Sequence, residues 1–170
     1  MTQLANAIDK VNYRLAMAIR WLALVMVLIQ FTIVIIRYAF GYNSIAAQES
    51  VLYLHASLFM LGAGYTLLVD GHVRVDILYS SLSEVKRRFI DIVGHVFLLI
   101  PAMLALMYWS WTSVVNSWAI LEGPIAVGGL KAVFLMKSLI PIFCLLVLLQ
   151  ALAHLTRLVI GRGGHPVDAG

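Results

Sequence analysis

Charge is scarce in this chain, and four long stretches have none at all. Asp, Glu, Lys and Arg make up 12% of 170 residues, about half the roughly 25% of an ordinary soluble domain. There is one cysteine, Cys144. That excludes an internal disulfide and any cysteine-based zinc site, and the residue reads as a small buried apolar group. No nucleotide-binding loop, pair of catalytic carboxylates, nucleophile triad or metal-ligand cluster is present. His72 and Asp76 stand four apart in a glycine-containing turn, so no metal is expected there. Neither an enzyme nor a resident cofactor is expected. The net charge of +4 does not imply nucleic acid, because the basic residues collect at particular helix ends.

Long apolar runs are what the chain does contain. Trp21–Ile36 (extendable to Phe40), Ser50–Val69, Ile92–Leu121 and Ser138–Thr156 carry no charge, and 62% of all residues are hydrophobic. A hydrocarbon core of roughly 30 Å is crossed by about 20 helical residues. The runs lack the strict alternation of a barrel strand, and in lipid only helices or closed barrels satisfy the backbone. The fold predicted is an all-α membrane protein with four transmembrane helices, spanning about 20–40, 49–69, 90–112 and 133–158. They form a single domain over 1–160, with a disordered tail at 161–170. Residues 1–20 have no compact apolar core before a cleavage site, so the first span is expected to remain as an anchor.

Orientation follows from Lys and Arg. Lys10, Arg14, Arg20, Arg74, Lys86, Arg87, Arg88, Arg157 and Arg162 fall on one side, against Arg37, Lys131 and Lys137 on the other. The richer side faces the cytoplasm, which puts both termini there. Two amphipathic segments are expected at that surface. Leu4, Ile8, Val11, Leu15 and Ile19 form one stripe of a helix over 3–19, lying in the headgroup plane and turning into the first span near Arg20. Leu78, Leu82, Val85 and Phe89 form the other, with Ser81 and Glu84 spaced as a capping box and a basic triplet suited to anionic membrane lipids. Pro101 is expected to bend the third span, and Tyr108, Trp109 and Trp111 mark its outer interface.

Residues 68–76 read Leu-Val-Asp-Gly-His-Val-Arg-Val-Asp. Gly71 permits a turn, and Asp70 and Asp76 are placed to pair with Arg74. Together with Gly62-Ala63-Gly64, the run Gly71-His72-Val73-Arg74-Val75-Asp76 resembles the small membrane subunit of tripartite ATP-independent periplasmic (TRAP) transporters. Glu49 at the opening of the second span, Glu122 in the outer connection, and Lys137, Pro141 and Gln150 in the last span extend the resemblance over roughly residues 10–160. Gly123-Pro124 departs from it, standing where a small hydroxyl residue is expected.

The resemblance implies a three-part importer in the bacterial inner membrane. A periplasmic substrate-binding protein captures an organic acid, and a large multi-span membrane subunit moves it with sodium ions. The small subunit braces the large one. The variant around Tyr65 and Ile77 looks most like members associated with 2-oxo acids or similar monocarboxylates.

Two competing readings arise from the residues. His55, His95 and His154 lie within spans, as axial ligands do in a haem-binding four-helix membrane cytochrome b. Only His95 and His154 share a depth, and an intramembrane histidine more often bonds a neighbouring helix. A small autonomous carrier is the other, but no internal repeat and no charge deep in a span supports it. Glu49, Arg37, Lys131 and Lys137 gather at the outer face, where they serve either docking or ordinary helix-end flanking. Gly62 and Gly64 permit close helix approach.

Overall fold

A computed structural model describes residues 2–69, 71, 82–124 and 126–160. Asp70, His72, Arg74, Asp76, Ser81 and the 161–170 tail lie outside the described residues. Helix α1 runs unbroken over Thr2–Phe40, so the turn expected near Arg20 is absent. The reason is local: no glycine or proline interrupts residues 2–40, and nothing else forces a break. At 39 residues it is roughly 58 Å long, about twice the hydrocarbon thickness. Gly41 ends it in the left-handed region (φ 65), its N–H bonding the Arg37 carbonyl at 3.0 Å. Ser44 then caps α2 (Ile45–Leu68), its hydroxyl accepting from the Ala47 N–H at 3.3 Å. So short a turn makes the two helices antiparallel neighbours.

Gly71 closes α2 by a Schellman-type bond, its N–H reaching the Thr66 carbonyl at 2.8 Å. Helix α3 spans Glu84–Val93. Its N-cap is Ser83, without a side-chain capping bond, so Glu84 stands at the first helical position; the capping box expected of Ser81 and Glu84 lies outside the described residues. A π-helical stretch, Gly94–Leu99, leads directly into α4, Ile100–Ala119. Pro101 explains it. Proline has no N–H and crowds the carbonyl four residues back; the chain widens by one residue per turn here, and the Ile100 N–H reaches the His95 carbonyl. The bend expected at Pro101 is thus realised as a register change just before it.

Helix α4 continues to Ala119, past the expected end at 112, because packing against the last helix persists. Val114 and Ser117 are buried, and the Trp118 ring meets that of Phe134 with centroids 4.7 Å apart. Trp118 Nε1 also donates to Ser138 Oγ at 2.7 Å. Leu121 turns the chain with φ 45, costing about 1 kcal/mol for a residue with a Cβ; the Glu122 N–H to Ser117 carbonyl bond (2.9 Å) closes that turn. Helix α5, Val133–Ile160, runs through Pro141 without interruption.

Among the described residues, four helical stretches are long and apolar enough to cross a membrane: Gln3–Phe40, Ile45–Leu68, Val85–Ala119 and Val133–Val159. Helix α5 is the hub, packing on α1, α2 and α4, while α1 also lies along α2. Only 6% of the first and third apolar windows, 11% of the second and 17% of the last are buried within the chain. Broad apolar faces of the helices are therefore left open by the chain itself.

Candidate functional site: polar clamps at the two ends

The start of α1 and the finish of α5 meet at one end of the molecule. There the buried stripe of α1 is Ala5, Asp9, Asn12, Ala16 and Ile19. This corrects the apolar stripe read from the sequence: Ile19 belongs to both, but Leu4 and Val11 point outward, 70% and 58% exposed. The spacing of four and three is the same on both faces. The small alanines decide the inward one, because they let α5 approach and leave room for polar side chains between.

Asp9 accepts from Arg157 through one carboxylate oxygen and from Gln150 Nε2 at 2.9 Å through the other. Arg157 also reaches Asn6 Oδ1 at 3.3 Å. Asn12 Nδ2 donates to Gln150 Oε1 at 2.7 Å. Gln150 and Asn12 are almost wholly buried, so each amide needs its partner. From α2, Gly64 completes the cluster. A Cβ there would overlap Asn12 Oδ1, so only glycine lets Asn12 turn toward Gln150. Gly62, two residues away, meets only Ile19 Cδ1 at an ordinary 3.6 Å. Both glycines therefore serve contacts between α1 and α2. Gln150 and Gly64 stand out in the sequence, whereas Asp9, Asn12 and Arg157 do not. The available signal is Ala5, Asp9, Asn12 and Ala16 at helical spacing, facing Gln150 and Arg157 seven residues apart.

The beginning of α3 and the end of α5 are tied separately. Arg88 Nη2 donates to the Val159 carbonyl at 3.0 Å. His95 Nδ1 lies 2.7 Å from the Asp91 carbonyl, which only accepts, so that nitrogen carries the proton. A neutral His95 then presents Nε2 as acceptor to His154 Nδ1, 3.2 Å away. A bis-histidine haem needs an iron between the two nitrogens at about 2 Å from each. Rings already in direct contact leave no such space, and His55 stands apart, tilted against Phe59 with centroids 5.1 Å apart. The pair is an interhelical hydrogen bond and does not fit a haem.

At the opposite end, Glu49 on α2 accepts from the Leu130 N–H at 2.6 Å. Gly129 makes room for it, since a Cβ there would fall 2.5 Å from the carboxylate. Lys137 pairs with Glu122 at 2.5 Å, bracing the turn at Leu121 against the first turns of α5. Two of the acidic groups expected at this face are thus engaged inside the chain. Pro141 lies four residues beyond Lys137 in the same helix.

Lys137 bonded to Glu122, with the Ser117 hydroxyl beside it, holds the Glu122 carboxyl below the usual carboxylate range, against a smaller upward push from desolvation. A lowered folded value means the pair contributes fully above the unfolded carboxylate range and is lost as pH falls through the folded value. Lys137→Met is expected to raise the Glu122 titration toward the ordinary carboxylate range. Carbon-13 NMR of the labelled carboxyl reads this directly, and an unmoved titration would sink the assignment.

These features define a multi-pass membrane protein whose polar side chains mostly hold its own helices in register. Among the described residues no group of three metal-ligating side chains occurs. The family model for the DctQ component of tripartite ATP-independent periplasmic transporters matches residues 26–161, and the chain belongs to that family. No curated protein matches it. The clamp residues Asp9 and Asn12 fall outside the matched region.

Proposed function

We propose that this chain is the non-catalytic scaffold subunit of a sodium-coupled TRAP-type importer of an organic acid. In this reading it sits in the bacterial inner membrane with both termini cytoplasmic. It braces a large multi-span transport subunit, to which a periplasmic substrate-binding protein delivers the acid. The observation that carries the reading is how little of each span the chain covers for itself. A membrane protein with spans so little covered, internally clamped at both ends and without charge in mid-span, offers wide faces and no ion path of its own. Glu49, Gly62, Gly64, Glu122, Lys137 and Gln150 then act by fixing the scaffold's shape.

Asp70, Gly71, His72, Arg74 and Asp76 belong to the motif that leaves the membrane after α2, and in this reading they contact the large subunit. Arg74→Glu or Asp76→Lys is expected to lower co-purification of the large subunit by at least about tenfold, equivalent to ~1.4 kcal/mol, with uptake falling in parallel. Undiminished co-purification and uptake would refute the role given to the motif. Solute flux through liposomes containing this chain alone would refute the scaffold reading itself.

A further inference from the structure

Between α1 and α2, in the half of the membrane near their connecting turn, lies a groove of about 690 Å³ open to the surroundings. Its walls include Met26, Val34 and Leu52, but also Gln30, Gln48 and His55. Gln30 is ten residues from Arg20 and seven from Arg37, hence roughly 15 and 10 Å along the helix from the charges that bound its span. It is therefore well inside the hydrocarbon. Its side chain is exposed and takes part in no hydrogen bond among the described residues. The His55 ring is likewise exposed and lies beside the Phe59 ring, with no hydrogen bond among the described residues. Gln48 is engaged by Asn43 at 2.7 Å.

An amide and an imidazole facing lipid tails lose their water partners and gain nothing in exchange. Acyl chains have no donor or acceptor, so lipid filling the groove leaves that cost in place. A neighbouring helix with hydroxyl or amide side chains at the same depth removes it. The exposed middle of α4 presents no such demand: Ala102, Leu104 and Leu106 are apolar. We infer that the α1–α2 groove is the seat of a transmembrane helix of the large transport subunit, which pairs a hydrogen-bonding side chain with Gln30 and His55. This rests on the scaffold reading above and adds which face is the seam.

The test uses the assembled transporter in native membranes, with a photo-crosslinking phenylalanine analogue placed at Leu52 in the groove or at Leu104 on α4. Leu52 is expected to capture the large subunit and Leu104 not. Gln30→Leu with His55→Leu should cut that crosslink and co-purification about tenfold or more, while Gln30→Asn largely preserves both; membrane insertion and helicity of each variant are checked alongside. Capture from Leu104 alone overturns the groove assignment and leaves the scaffold reading standing. Capture from neither position, with both subunits present, counts against the scaffold reading as well. Crosslinks from Leu52 to a second copy of this chain or only to lipid, or co-purification indifferent to the double substitution, also overturn the inference.

Discussion

Replacing Arg157 with leucine is expected to destabilise the isolated chain by about 3–5 kcal/mol, the usual consequence of leaving one member of a buried ion pair without its partner. The side chains of Arg157 and Asp9 are only 16% and 10% exposed, so water replaces the missing guanidinium only in part. The stranded Asp9 carboxylate would keep the Gln150 amide as a donor, too little for a full charge away from solvent. Removing both charges, as Asp9→Asn with Arg157→Leu, should recover a large share of the loss. Thermal melting in a mild detergent, arranged as a double-mutant cycle, checks this. Additive losses would show that the two groups act independently and that the clamp is not a unit.

The second large effect separates two glycines that look alike in the sequence. Gly64→Ala should cost about 2–4 kcal/mol. The new methyl displaces Asn12, breaking its bond to Gln150 and leaving buried amide atoms unmatched, at about 1–3 kcal/mol, with overpacking added. Better helix propensity returns only about 1 kcal/mol. Gly62→Ala meets nothing closer than 3.6 Å and is expected to be neutral or slightly stabilising. Melting temperatures of the two variants decide it, and equal effects would remove the special role of Gly64. Adding Asn12→Ala should make Gly64→Ala tolerable.

The spans are legible because water-soluble folds rarely contain their signal. A run without charge that is long enough to cross a bilayer would be hard to bury in a domain of this size, and all four runs coincide with the helices observed. The closure of α2 at Gly71 also follows from residue chemistry. The faces of α1 are not legible. Hydrophobic periodicity ranks Leu4 and Val11 above Asp9 and Asn12, which is right in water and misleads in a membrane. There, lipid accepts the large apolar side chains, and the interior accepts polar groups that find partners. Arg157 and Asp9 are 148 residues apart, and no local pattern announces such a match. The π-helical stretch is hidden for another reason: Pro101 signals a disturbed helix, but how neighbouring backbone groups re-pair depends on what they pack against. The far end of α4 is longer than its aromatic cluster suggests. That cluster resembles an interface boundary, whereas Trp118 continues the contact with Phe134 and Ser138.

Open apolar faces on this scale bear on the durability of the chain. Most of its apolar area is left to lipid or to neighbouring subunits, and partners that bind only the folded form add to its stability by mass action. How much of the chain stays folded is then governed by the supply of those neighbours. An excess made without them would be the fraction first cleared by proteolysis, and subunit ratios would be kept in balance without any dedicated regulator.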